Sequence, residues 1–303
     1  MRKILGGIRW LAAGAALLAG IAGLVFDFFL RDGHVAAAPF FYALPVPVSA
    51  GALLVAAVLG RGRWRRRTAA IVALLALGWW FSQSYGWAWP QAGERKAIIW
   101  NMGRPPHPFQ PLITLVRTEQ PDVVALVETG SLGMNEVRAY ERMLPGYRMA
   151  ALPAGLSCLV RGQFLGASLT SLGNAGFAAC FRVSFGGEPM KVFVPDIEAE
   201  PLVPRRHQLE RLAALTRGGS RMIVMGDFNT PMESVWLEGM RGFCVNTMDG
   251  PHRGFRETWL YNLPLLSLDQ VWLSRDLKPV FTSKRLTMAS DHAPVVAVFD
   301  ERP

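Results

Sequence analysis

The residues of this chain best suited to chemistry stand where apolar runs stop. Asp227 and Asn229 end the run in "VMGDFNTP", Glu128 ends "VALVETG" and Asn101 ends "IIWNMG". Asp269 lies inside "LSLDQVWL", and "ASDHAP" sets Asp291 and His292 just before a last apolar run. In an α/β sheet, polar side chains at strand ends converge on one crevice, and rigid backbone holds them there. Carboxylates, two carboxamides and an imidazole together suit a divalent cation and a phosphate. Oxygen donors favour Mg2+ or Mn2+; Mg2+ takes one or two protein carboxylates and fills its shell with water and phosphate oxygens. Singly, each residue has a plainer role: Asp-Phe-Asn as a turn, Ser-Asp-His and Glu128 as caps. Only the set is informative.

The elements that must position these groups follow from periodicity. Strand-like runs occupy 97–100, 122–128, 147–152, 156–161, 177–185, 190–197 and 221–228, and recur near 267–273, 279–287 and 294–299. Phe109, Leu112, Ile113 and Val116 have helical spacing, as do Leu209, Leu212, Ala213 and Leu215 in a helix starting near Pro204. A short helix is expected from about Ser234. Some segments return directly and others cross through helices, which predicts a mixed sheet or two packed sheets.

The first 90 residues have a different character. They contain two acidic residues, Asp27 and Asp32, against nine basic ones. Apolar stretches at about 10–30, 38–59 and 68–85 each approach the roughly 20 residues that cross a bilayer, giving an expected N-terminal bundle of three transmembrane helices. Trp79, Trp80, Trp87 and Trp89 cluster as an interfacial belt does. Arg2, Lys3 and Arg9 precede the first stretch, and "RGRWRRR" separates the second from the third. Basic flanks stay in the cytoplasm, so the expectation is a multi-pass inner-membrane protein with its later domain, 91–303, in the periplasm or outside the cell. A cleaved signal peptide ending at Ala36–Ala38 is the competing reading of the first stretch; the following Pro39, the length of the run and the later spans favour a retained helix.

This placement also explains a pI near 10.0. Residues 91–303 hold 23 basic and 21 acidic residues, so the basicity belongs to topology and anionic headgroups and is no evidence for nucleic-acid binding. "PQAGERK" at 90–96 reads as the linker. Cys158 and Cys180 fall in successive strand-like runs and would pair in an oxidising compartment; the favoured reading makes them and Cys244 small buried hydrophobes.

Taken in order, "WNMG", "VALVET", "GDFNTP", "SLDQVWLS" and "SDHAPV" resemble the signature blocks of the endonuclease/exonuclease/phosphatase superfamily, over about residues 97–299. The resemblance implies a four-layer α/β sandwich, two mixed sheets flanked by helices. It implies that Glu128 holds a metal with help from Asn101, and that Asp291 lies close to that metal. Asp227 would activate the attacking water and Asn229 would fix water or phosphate. His292, oriented by Asp269, would neutralise phosphoryl oxygens. The expected activity is metal-dependent phosphodiester hydrolysis, with a phospholipid headgroup or nucleic acid as substrate. The bilayer is the expected partner, and the sequence singles out no protein partner.

One block departs from the pattern. The superfamily usually ends a central strand with His, and here the matching run is "VFVPDIEAEP", with Asp196 in that place. An anion there repels a phosphate unless a cation or a proton compensates. Asp196 is therefore read as a second metal ligand, a protonated general acid, or the mark of a silent member that binds a phosphorylated ligand or partner. His207, Arg205 and Arg206 are weaker candidates, read chiefly as surface and helix-end residues, and His107 and His252 read as loop residues.

Overall fold

The computed structural model describes residues 2–301. The chain divides into two compact units, Met1–Tyr85 with Glu233–Val235, and Gly86–Met232 with Trp236–Pro303.

The first unit is helical, with helices Arg2–Val25, Ala38–Ala43, Val46–Leu59 and Arg63–Ser84. It corrects the expected count of three spans: among the described residues one helix, Gly6–Leu30 including a wider turn at Phe26–Leu30, is long and apolar enough to cross a membrane. The second stretch is broken at Leu44–Pro45, because proline lacks an N–H and pushes the residue before it out of the helical region. The 14 residues left in Val46–Leu59 rise only ~21 Å, short of a ~30 Å hydrocarbon layer. The helix over the third stretch, Arg63–Ser84, spends four of its first five residues on Arg63, Arg65, Arg66 and Arg67. The side chains of Arg2 and Lys3, part of the first basic flank, lie outside the described residues.

The second unit has the two mixed sheets expected. Six neighbouring strands of an eight-stranded sheet are Leu277–Lys284, Val295–Glu301, Arg95–Asn101, Val123–Val127, Leu156–Val160 and, at its edge, Arg148–Leu152. A six-stranded sheet runs Cys244–Asn246, Asp269–Ser274, Met222–Asp227, Met190–Asp196, Gly176–Ser184 and Gln163–Gly173. Alternation along the strands builds the layers. Ala97, Ile99, Ala125 and Val127 meet Phe181, Val192, Val194, Ile223 and Met225 between the sheets. The opposite faces of the same strands, Ile98, Trp100, Val124 and Leu126, receive Leu112, Ile113 and Val116 from the helix Gln110–Glu119. On the other side, Val224 and Trp272 receive Leu209, Leu212 and Ala213 from the helix Arg206–Thr216. Each fully buried aliphatic side chain contributes about 1.5–3 kcal/mol. Two sheet faces therefore form a rigid platform.

The edge strand Gln163–Gly173 escaped the sequence reading. Most of its side chains are exposed on both faces, so it carries no inside–outside alternation to detect. The three cysteines are free thiols; Cys158 is fully buried and Cys244 nearly so, and burial pushes the Cys244 thiol up to about 12.

Candidate active site

Register decides which polar residues meet. In the smaller sheet, Asp227 pairs with Asp269 on one neighbouring strand and with Asp196 on the other, so three carboxylates lie side by side at one end. In the larger sheet Asn101 pairs with Val127, which puts Glu128 one residue beyond the same end. Residues 101, 128 and 227 then touch. Asn101 Nδ2 donates to Asp227 Oδ2 at 2.8 Å and to Glu128 Oε1 at 3.3 Å. A neutral amide so bridges two acids from two sheets.

His292 enters from the loop before the strand Val295–Glu301. Its Nδ1 lies 2.8 Å from Asp269 Oδ2, and its Nε2 lies 3.8 Å from Asp227 Oδ2. Burial alone would lower its pKa, but the Asp269 and Asp227 carboxylates outweigh burial and hold it at about 10. The imidazole is thus cationic at neutral pH. Asp227 is 1 % exposed, and burial pushes it up to about 6, with the His292 charge pulling the other way. Asn229 fixes it through a backbone N–H to Asp227 Oδ1 at 2.8 Å, while its own amide donates to the Ile197 carbonyl. Asp291 is anchored by Trp259, whose Nε1–H donates to Asp291 Oδ2 at 3.0 Å. Ser290 Oγ donates to the Asn101 carbonyl and receives the His292 N–H, joining that loop to the Asn101 strand.

Asp196 is the group with least support. It is half-buried, and burial first, then Asp227 and Glu128, pushes it up to about 8, so it is largely protonated at neutral pH. The departure from the superfamily pattern therefore places a proton, and not an additional charge, beside Asp227.

The sequence expectation grouped Glu128, Asn101 and Asp291 around the cation. Asp227, Asp269 and His292 form a cluster whose ligand atoms lie within 4.8 Å of one another. In that cluster the His292 Nδ1 already binds a carboxylate, and Asp269 Oδ1 is buried without a hydrogen-bond partner. Glu128 keeps a partly exposed carboxylate. Glu128, Asp196, Asp227, Asp269 and Asp291 face one imidazolium and one guanidinium, an oxygen-rich set that fits a hard divalent cation.

Several contributors were not singled out from sequence. Arg104 Nη2 lies 3.3 Å from Glu128 Oε2, and the Arg104 N–H donates to the Glu128 carbonyl. His107, read as a loop residue, has Nε2 at 2.6 Å from the Thr129 carbonyl and Nδ1 at 2.6 Å from the Tyr140 hydroxyl. A carbonyl only accepts, so Nε2 carries the proton and Nδ1 accepts from Tyr140, which itself accepts the Phe109 N–H. His107 therefore pins the backbone next to Glu128. A cleft of about 730 Å³ opens beside Glu128, lined among others by Arg104, Ser131, Leu132, Leu152 and Pro153. The other candidates lie elsewhere: His207 is exposed beside Glu210, and Arg206 pairs with Glu210. Arg205 is buried and holds the carbonyls of Glu198 and Ala199, contrary to the surface and helix-end reading.

The profile of the Endonuclease/Exonuclease/phosphatase family matches residues 98–292. This chain belongs to that family. Its members are generally hydrolases of phosphoesters. A search of curated proteins returned no match. Among solved structures, a functionally unknown conserved protein from Enterococcus faecalis V583 is similar at 14% identity and a TM-score of 0.56, over 68% of this chain and 100% of that one. A mannosyl-6-phosphatase from Bacteroides thetaiotaomicron VPI-5482 is similar at 13% identity and 0.54, over 68% and 99%. TDP2 from D. rerio, solved with a single strand DNA product, is similar at 16% identity and 0.53, over 68% and 98%. At such identities the likeness is one of fold.

Proposed function

We propose that this chain is a membrane-anchored, divalent-metal-dependent phosphoesterase acting on phosphodiesters. The observation that carries the reading is the Asn101 amide, which ties Asp227 to Glu128 while His292 stands against Asp227 from the other side. Groups from four separate segments so meet around a space rich in oxygen donors. Glu128, Asn101 and Asp291 would hold Mg2+ or Mn2+, which would supply charge stabilisation to the phosphoryl group.

The protein's own residues account for the rest. His292, kept cationic by Asp269, offers a fixed positive charge to the non-bridging oxygens as charge builds there. Asp227, ionised above about pH 6, accepts the proton of the attacking water. The Asn229 N–H and the Asn101 amide hold its carboxylate in line. Asp196, still protonated near neutrality, donates its proton to the leaving oxygen. Arg104 and the cleft beside Glu128 receive the group attached to the phosphate.

The apolar helix Gly6–Leu30 supports the anchor. A tethered domain reaches phospholipid headgroups, with nucleic acid the next candidate substrate. A second reading, a silent member that binds a phosphorylated ligand, is favoured by Asp196 alone. The deciding assay gives the full-length chain in detergent a chromogenic diester, phospholipid micelles and plasmid DNA, with Mg2+ or Mn2+. Turnover that stops with EDTA and in Asp227→Asn supports the enzyme; a folded chain that turns over none of these but binds a phosphorylated ligand supports the silent member.

A further inference from the structure

The helical unit contains a second charged site, unrelated to the strand ends. A cavity of about 1110 Å³ is lined by Arg9, Arg61, Arg63, Arg66 and Arg67, together with small and apolar residues such as Leu54 and Val58. The arginines are placed by specific contacts. Arg9 Nε donates to the Leu59 carbonyl at 2.9 Å and Nη2 to Val58 at 3.2 Å, while Arg66 Nε donates to Ala57 at 2.7 Å. These bonds satisfy the orphan carbonyls at the end of the helix Val46–Leu59 and bring two guanidinium groups to the cavity. Arg61 lies over the Trp10 ring, 4.7 Å from its centre. The side chains of Arg63 and Arg67 make no hydrogen bond or ion pair among the described residues.

No acidic residue lines the cavity, and the acids of residues 1–85 are Asp27 and Asp32 alone. Asp27 stands 18 residues beyond Arg9, a rise of ~27 Å if the helical path continues, well past the ~8 Å screening length. The helix Arg63–Ser84 also begins here, on Gly62, without a side-chain cap, so its first N–H groups add to the positive field. Directly alongside, Ile8, Leu11 and Val58 are 60%, 77% and 63% exposed. Cationic walls bordered by open apolar helix surface match an amphiphile with an anionic head.

We propose that the phosphate headgroup of an anionic glycerophospholipid occupies this cavity. Its phosphate sits among Arg61, Arg63 and Arg67, and its acyl chains run along the exposed apolar flanks of Arg2–Val25 and Val46–Leu59. The inference rests on the anchor reading and is independent of the hydrolase.

Native mass spectrometry of the full-length chain in detergent tests it, with phosphatidylglycerol, phosphatidylcholine or inorganic phosphate titrated in. The expected result is retention of phosphatidylglycerol at concentrations lower than phosphatidylcholine by about tenfold or more. In Arg61→Gln/Arg63→Gln/Arg67→Gln that preference should fall to near one, with Arg9 and Arg66 left to hold the helix end. Should the triple variant not accumulate, Arg67→Gln alone should cut the preference by about fivefold. Equal retention of both lipids by the unaltered chain, or an unchanged preference in the variants, overturns the site. Inorganic phosphate that displaces the lipid reassigns the cavity to a free anion and overturns the lipid assignment. Carbonate extraction of membranes separates this from the anchor: a chain released by carbonate overturns anchor and site together, whereas a retained chain without lipid preference overturns the site alone.

Discussion

Two charged regions of this molecule are built on opposite plans. At the strand ends, five carboxylates face one imidazolium and one guanidinium, and the structure manages the excess by burial, by bridging amides and by a proton on Asp196. In the helical unit, five guanidinium groups share a cavity with no acid at all. The first region is closed and over-determined by hydrogen bonds; the second is open and half-determined. A site that does chemistry must fix its groups before the reaction, whereas one that only holds a headgroup can leave its side chains free.

That contrast can be broken, most decisively at Asp227. Asp227→Asn keeps the hydrogen-bonding shape but loses the base, and turnover should fall on the order of a hundredfold or more; a loss below tenfold in a steady-state assay would mean that this region is not the fixed one. Removing divalent cations with EDTA should abolish turnover and leave circular dichroism unchanged, and adding back Mg2+ or Mn2+ should restore it.

The pH profile sharpens the point. Activity should rise as Asp227 ionises near pH 6 and fall as Asp196 loses its proton near pH 8. Asp196→Asn should lower the maximum rate and remove the fall near pH 8; an alkaline limb that persists in this variant would assign it to another group. Stability supplies a smaller effect. The His292 pKa is raised from 6.5 to about 10, so its ion pairs stabilise fully below about pH 6.5 and lose that contribution as pH rises towards 10. His292→Gln should flatten denaturation midpoints across this window. Smallest is Arg104→Ala, whose pair with Glu128 is exposed: the fold should keep its stability within a few tenths of a kcal/mol while KM rises for a diester that fills the neighbouring cleft.

Sequence resolved the parts of the site that end strands and little of what surrounds them. Asp227, Asn229 and Glu128 were legible because an apolar run that stops in a polar turn is a local signal. The sheet pairing of Asp196 with Asp227 was beyond local reading, since register is set by packing across residues far apart in the chain. His107 touches Thr129 and Tyr140 only after two helices and a strand have packed. Trp259 reads as one more aromatic until it is seen to hold Asp291. The membrane count failed for a related reason: hydropathy averaged over 38–59 hides the break that Pro45 makes.

Glu128 and Asn229 both sit at left-handed backbone, φ 50° and 46°, as neither sheet requires. A side chain in that conformation costs about 1 kcal/mol, and glycine would relieve much of it. Evolutionary drift towards a sturdier domain therefore has an easy path through these two codons, and a heat-resistant descendant with glycine at either one would be a relic that has outlived its reaction.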